Sequence, residues 1–251
     1  MKNSPRKQLS KNLLTPKPRK EWHEVWCNQS KKLVLFDLDG TLLDTSGDLG
    51  SAANLLRKER DLPPLKLDEY KSYVSRGAAG MLERSLNIGK EDVNFDLYRK
   101  KFLSFYSKNL LKFTDFMPGM NKLICSLEEA GIIWGIVTNK YHEYAMPIIH
   151  GLNLDDRAAI LVCGDTLAYS KPHPAPIRYA FEKLCFDSRQ VIYVGDDPRD
   201  IKSGFNAGCW TIAISFETTK KKSDLASWGS DAIAINAKEL ADLLNLQLAL
   251  N

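Results

Sequence analysis

Short apolar runs alternate with helical repeats along most of this chain. Runs at 33–37, 132–138, 159–163, 191–195 and 210–214 predict strands, with a weaker one at 232–235. Leu33-Val34-Leu35-Phe36 has no polar position, as expected of a strand covered on both faces of a parallel sheet. Between the runs, Met120, Leu123, Ile124 and Leu127 recur at i, i+3, i+4 and i+7, and Ile177, Ala180, Phe181 and Leu184 do the same. That period marks amphipathic helices. Leu240, Leu243 and Leu244 predict a closing helix. Strands interleaved with helices imply right-handed crossovers and a parallel sheet, so the predicted class is α/β with a Rossmann-like core.

Residues 47–115 break the rhythm, for no strand-like run falls there. Leu49, Ala52, Ala53 and Leu56 mark one helix, and Tyr98, Phe102, Phe105 and Tyr106 another. Pro63-Pro64 and Gly77 read as turns between them. The expected division is an all-helical insert at 47–115 within a core made of 33–46 and 116–251. Its joins near 45 and 117 bring the chain in and out together, as a hinged lid requires. A simple extension of the core is the alternative.

Charge is unevenly spread. Residues 1–32 hold nine Lys or Arg against Glu21 and Glu24, so this segment carries +7 and the other residues −3 of the overall +4. Pro5, Pro16 and Pro18 and the lack of periodicity predict a basic extension without structure at least through residue 20, whose removal leaves stability and catalysis unchanged. It reads as a spurious extension, a weak polyanion-binding arm or an address. Trp22, Val25 and Trp26 could dock as a short helix. Five scattered cysteines form no Cys-x-x-Cys pair, which argues against zinc and redox motifs and fits reduced thiols in a cytoplasmic protein. No apolar run approaches the ~20 residues of a membrane span, and no membrane or specific nucleic-acid partner is expected.

The candidate chemistry begins where the first strand ends. Asp37 and Asp39 follow Phe36 one residue apart, then Gly40 and Thr41. In doubly wound sheets, ligands bind just past the carboxyl ends of strands. Two carboxylates so close repel each other, and a divalent cation or a shared proton is the usual remedy.

Asp-x-Asp-Gly-Thr after an apolar strand resembles the first motif of the haloacid dehalogenase-like superfamily. Ile132–Asn139 resembles the second, a strand ending in Thr138; Ser170-Lys171-Pro172-His173-Pro174 the third; and Val191–Asp200, with Asp196, Asp197 and Asp200, the fourth. The four motifs stand in the family's order and span 33–214. The resemblance implies that the insert at 47–115 is a helical cap and that the protein is a Mg²⁺-dependent phosphatase. It implies Asp37 as nucleophile, forming an aspartyl-phosphate, and Asp39 as general acid and base. Thr138 and Lys171 complete the catalytic set. Gly40, Thr41, Thr138, Asn139 and Lys171 are the implied phosphate-binding residues. The implied metal ligands are Asp37, the backbone carbonyl of Asp39, and Asp196, with Asp197 and Asp200 one layer behind. His173 reads as structural.

Within the superfamily, Phe36–Thr45, Lys171–Pro176 and Gly195–Gly208 are similar to phosphoglycolate phosphatases. Gly-Asp-Asp-x-Arg-Asp and Trp228-Gly229-Ser230-Asp231 also resemble a sister group acting on N-acetylmuramic acid 6-phosphate. The loop Ser215–Lys222 departs from both, with three lysines and no Gly-Tyr pair. The expected partner is a small phosphorylated metabolite, and the expected state a monomer or homodimer. Arg76, in Ser75-Arg76-Gly77 of the insert, is the candidate specificity residue because Arg suits a substrate carboxylate. A sugar phosphomutase and a non-catalytic binding protein are the alternatives.

Overall fold

A computed structural model describes residues 13–216 and 222–248. Six parallel strands form the central sheet: β1 (Leu33–Phe36), β4 (Ile133–Val137), β5 (Leu161–Val162), β6 (Val191–Gly195), β7 (Trp210–Ile214) and β8 (Ala232–Ala234). Their order across the sheet is β5-β4-β1-β6-β7-β8. The first strand is therefore central, and every position of Leu33–Phe36 is buried. Val34 and Phe36 join the core on one face, while Leu33 and Leu35 join the core on the other. This two-residue alternation explains why the strand needs apolar side chains throughout.

Helices cover both faces. On one side α5 (Met120–Glu129), α6 (His142–Gly151) and α9 (Ala237–Leu243) pack through Leu123, Leu127, Ile148 and Leu240. On the other, α7 (Ala175–Lys183) packs through Ile177, Ala180 and Phe181. Asp197 caps α8 (Pro198–Ala207), accepting from Arg199 N, and the Asp200 side chain accepts from Asp197 N at 3.1 Å. This reciprocal cap fixes the acids relative to the end of β6.

The insert is helical. It comprises α2 (Ser46–Lys58), a 3₁₀ stretch (Leu67–Arg76), α3 (Gly77–Leu86) and α4 (Phe95–Ser107) around their own apolar cluster. Leu49, Ala52 and Leu56 of α2 meet Tyr70, Met81 and Phe102 there. The joins carry a feature that sequence patterning missed, a two-stranded antiparallel ribbon of β2 (Leu43–Asp44) and β3 (Asp115–Phe116). Two-residue strands are too short to leave an alternating signal. Buried Asp48 braces the ribbon, accepting from Phe113 N at 2.9 Å and Thr114 Oγ1 at 2.6 Å.

The N-terminal segment corrects an expectation. Residues 1–12 lie outside the described residues, but the chain is bonded to the core well before residue 20. Leu14 exchanges two hydrogen bonds with the Asn206 side chain. Arg19 pairs with Asp231 through Nε at 2.9 Å and Nη2 at 2.5 Å, and its guanidinium lies 4.5 Å from the Trp210 ring centroid. The helix α1 (Trp22–Cys27) docks with Trp26 fully buried. Proline and lysine content concealed this anchoring, because the partners are single polar contacts far away in sequence. Arg19→Ala leaves the buried Asp231 carboxylate without its cation, so stability should fall by about 3 kcal/mol in urea unfolding. A loss under about 0.5 kcal/mol would show that the segment merely lies on the surface.

Candidate active site

With β1 between β4 and β6, the chain winds outward on one side of β1 and returns on the other. At such a reversal the carboxyl ends of adjacent strands open a crevice. Asp37 follows β1, Thr138 follows β4 and Asp196 follows β6, so three separate motifs meet there.

Carboxylate oxygens of Asp37, Asp196 and Asp200 lie within 4.8 Å of one another. Asp196 accepts from Thr41 Oγ1 at 2.8 Å and from Ser75 Oγ of the insert at 2.9 Å. Burial, reinforced by the charges of Asp37 and Asp200, pushes the Asp196 carboxyl up to about 8. Burial likewise pushes Asp200 up to about 7, against the pull of Lys171. Lys171 is the cation in this cluster. Its Nζ reaches Asp37 Oδ1 at 2.7 Å, Asp200 Oδ1 at 2.7 Å and Tyr193 Oη at 2.8 Å, which uses all three donors. Burial opposes its charge, but Asp200 and Asp37 overcome that and raise its pKa. Three carboxylates against one ammonium leave excess negative charge in a confined space. An all-oxygen donor set of this kind suits a divalent cation such as Mg²⁺.

The carboxylate of Asp39 faces elsewhere. Its Oδ1 accepts from Thr45 Oγ1 at 2.6 Å and pairs with Lys140 Nζ at 2.8 Å. Lys140 escaped the sequence reading, since one lysine after a strand looks like surface decoration. Its side chain is only 6% exposed, and burial, which opposes its charge, is outweighed by Asp39. Asp37 and Asp39 thus share a design. In each, Oδ1 is held, Asp37 Oδ1 also accepting from Leu38 N at 2.7 Å. Among the described residues no hydrogen bond reaches Asp37 Oδ2 or Asp39 Oδ2.

The remaining predicted residues divide. Thr138 lines the cavity, and its Oγ1 accepts from Lys140 N at 3.1 Å. Asn139 and Lys171 exchange side-chain and backbone hydrogen bonds of 3.0 and 2.9 Å, tying the second motif to the third. Gly40 does not offer its N–H to the cavity as expected, because that N–H donates to Leu43 O at 2.8 Å. Gly40 is needed for another reason: it has φ +85°, and a Cβ there would lie 2.5 Å from Asp196 Oδ2. Thr41 is fully buried against Asp196. Asp197 is outside the acid cluster, bound to Arg199 Nε at 2.7 Å, and Arg199 also reaches Ser75 O at 2.5 Å. His173 accepts from Ala175 N at 3.1 Å and stacks on Tyr169, a structural arrangement.

A cavity of about 310 Å³ runs from these residues to the insert. Asp37, Asp39 and Lys171 line it from the core, and Arg76, Lys90, Phe95, Arg99 and Tyr106 line it from the insert. Arg76 is there as expected, but its guanidinium is engaged by Glu83. Lys90 and Arg99 were overlooked because charges on helices and loops usually face solvent.

Fold and site together define an α/β protein with a parallel sheet, acids gathered at its strand ends and a helical insert beside them. The haloacid dehalogenase-like hydrolase model matches residues 34–214, and the chain belongs to that family. Over 217 residues it is 36% identical to the N-acetylmuramic acid 6-phosphate phosphatase of Pseudomonas aeruginosa, covering 86% of this chain and 96% of that protein. It is 35% identical over 209 residues to a phosphoglycolate phosphatase of Xanthomonas campestris, covering 83% and 94% respectively. The crystal structure of a predicted phosphoglycolate phosphatase from Haemophilus somnus superposes with a TM-score of 0.72 at 25% identity, covering 86% of this chain and 99% of the other. The protein is a phosphoric monoester hydrolase. The alternative of a non-catalytic binding protein falls away. No helix among the described residues is long and apolar enough to cross a membrane.

Proposed function

We propose that the protein hydrolyses a sugar-sized phosphomonoester carrying a carboxylate, of the N-acetylmuramic acid 6-phosphate type, through a phosphoryl group held on Asp37. The observation that carries this reading is the paired arrangement of Asp37 and Asp39, each with one oxygen fastened and the other unbonded, at the cavity end that holds Lys171. Asp37 Oδ2 attacks phosphorus and the bond to the ester oxygen breaks, while Asp39 delivers a proton to that oxygen. Asp39 then takes a proton from water as it attacks the aspartyl-phosphate, and the bond from phosphorus to Asp37 Oδ2 breaks, releasing inorganic phosphate and the free carboxylate. Thr138 Oγ1 donates to a phosphate oxygen, the Lys171 charge beside Asp37 offsets the phosphate's negative charge, and Lys140 with Thr45 positions Asp39.

The donor set fits Mg²⁺. Asp37, Asp196 and the backbone carbonyl of Asp39 would hold it, with Asp200 behind them orienting Lys171. When bound, the ion supplies positive charge to the phosphate oxygens. Asp197 serves the site through Arg199 and Ser75.

The cavity supports the larger substrate. Its volume of about 310 Å³ lies at the lower end of pockets that take drug-sized ligands. A two-carbon phosphoglycolate would leave much of it to water. Phosphoglycolate remains the second reading, favoured by the named relative at 35% identity.

Phosphate release from a panel containing both compounds tests the proposal. N-acetylmuramic acid 6-phosphate should show the highest kcat/KM, and excess EDTA should reduce activity to the blank. Asp196→Asn should raise the Mg²⁺ concentration for half-activity by at least ~10-fold. Full turnover in EDTA would refute the metal assignment, and a preference for phosphoglycolate would establish the second reading. A phosphoryl group that moves to another hydroxyl of the sugar, with none released, would indicate a mutase.

A further inference from the structure

The insert's share of the cavity wall is built for an anion, and the pattern lies along α4. Phe95, Arg99, Phe102 and Tyr106 fall at i, i+4, i+7 and i+11, one stripe of a helix, and all line the cavity. Within that stripe Arg99 is the only charge. Lys90, just before α4, lines the same cavity. Other cations of this region are already neutralised: Arg76 by Glu83, Arg84 by Glu69, Lys101 by Glu59 and Arg199 by Asp197. Among the described residues, Lys90 and Arg99 have no ion-pair or hydrogen-bond partner.

We infer that Arg99 and Lys90 form a subsite for a carboxylate on the substrate, separated from the phosphate end by a ring-sized spacer. Tyr106 sits at the phosphate end, since its ring lies 4.9 Å from Lys140 Nζ, which pairs with Asp39. Arg99 is seven residues earlier, about 10 Å back along the helix axis. That separation suits an acid borne across a sugar ring rather than one attached to the carbon next to the ester. Arginine presents a planar pair of donors to a carboxylate, and the flanking Phe95 and Phe102 give the spacer an apolar wall. This assignment rests on the phosphatase reading for the position of the phosphate. It transfers the specificity role from Arg76, whose charge is taken by Glu83, to Arg99 and Lys90.

The test is a binding measurement on the Asp37→Asn protein, which cannot consume its ligand. Calorimetry should show N-acetylmuramic acid 6-phosphate binding about 10- to 100-fold more tightly than N-acetylglucosamine 6-phosphate, which lacks the 3-O-lactyl group that carries the carboxylate. Adding Arg99→Ala and Lys90→Ala should collapse that ratio toward one, and Arg99→Lys should restore part of it. Both side chains are at least partly exposed, so the variants should fold, and unchanged melting would verify it. Equal binding of the two ligands, or a ratio that survives both substitutions, overturns the subsite. Tighter binding of glucose 1,6-bisphosphate than of either ligand overturns its assignment to a carboxylate. Phosphate release by the unmutated protein is scored separately: if neither sugar phosphate is cleaved, the proposed function fails while the binding ratio still judges the subsite.

Discussion

Asp37→Asn should lower kcat on the order of 10⁵-fold or more, to background, while the protein melts at or above its normal temperature. An amide cannot become a phosphoenzyme, and loss of a covalent nucleophile carries effects of that order. The fold has no reason to suffer. The amide oxygen can still accept from Leu38 N, and Lys171 keeps Asp200 and Tyr193. Removing one of three clustered carboxylates also relieves repulsion on Asp196 and Asp200, both of which Asp37 pushes upward. Steady-state rates and calorimetry on the same preparation measure both halves. A variant within tenfold of normal activity would remove Asp37 from the nucleophile's role.

Asp39→Asn should behave differently. General acid–base help is worth roughly 10²–10⁴-fold, so turnover should drop by that factor without vanishing. Substrates with a good leaving group, such as p-nitrophenyl phosphate, need no proton for the first step. They should give a rapid burst of about one equivalent and then a stalled second phase. Lys140 and Thr45 lose a carboxylate but can both approach the amide oxygen, so the position is kept. An equal and mild defect in both aspartate variants would show that their roles are wrongly divided.

What was legible in the chain follows from how local each signal is. Leu33–Phe36 and Val191–Gly195 declare buried strands because every residue must be apolar, and the acids that follow them are adjacent in sequence to the strand that positions them. The order of four such segments was enough to place Asp37, Thr138, Lys171 and Asp196 around one crevice. Contacts between distant segments left no such mark. Lys140 becomes a partner of Asp39 only when β4 lies beside β1, 101 residues apart in sequence for the pair. Arg19 meets Asp231 across 212 residues, and its segment reads as a basic tail until that pairing is seen. Arg99 looks like an ordinary solvated charge on α4, and only the cavity beneath the insert distinguishes it from Lys100. Arg76 stands out in the sequence as a carboxylate-binding type of residue, but its charge is taken by Glu83, a neighbour on the next helix.

The central claim is the covalent step, and trapping it is the most direct measurement. The Asp39→Asn protein should be mixed with ³²P-labelled phosphomonoester and Mg²⁺, quenched in acid within the burst, digested and sequenced by mass spectrometry. Phosphate on Asp37, in the peptide that contains Leu38 and Gly40, is the predicted result. Label on another side chain, or a burst of released alcohol with no phosphoprotein, would contradict it.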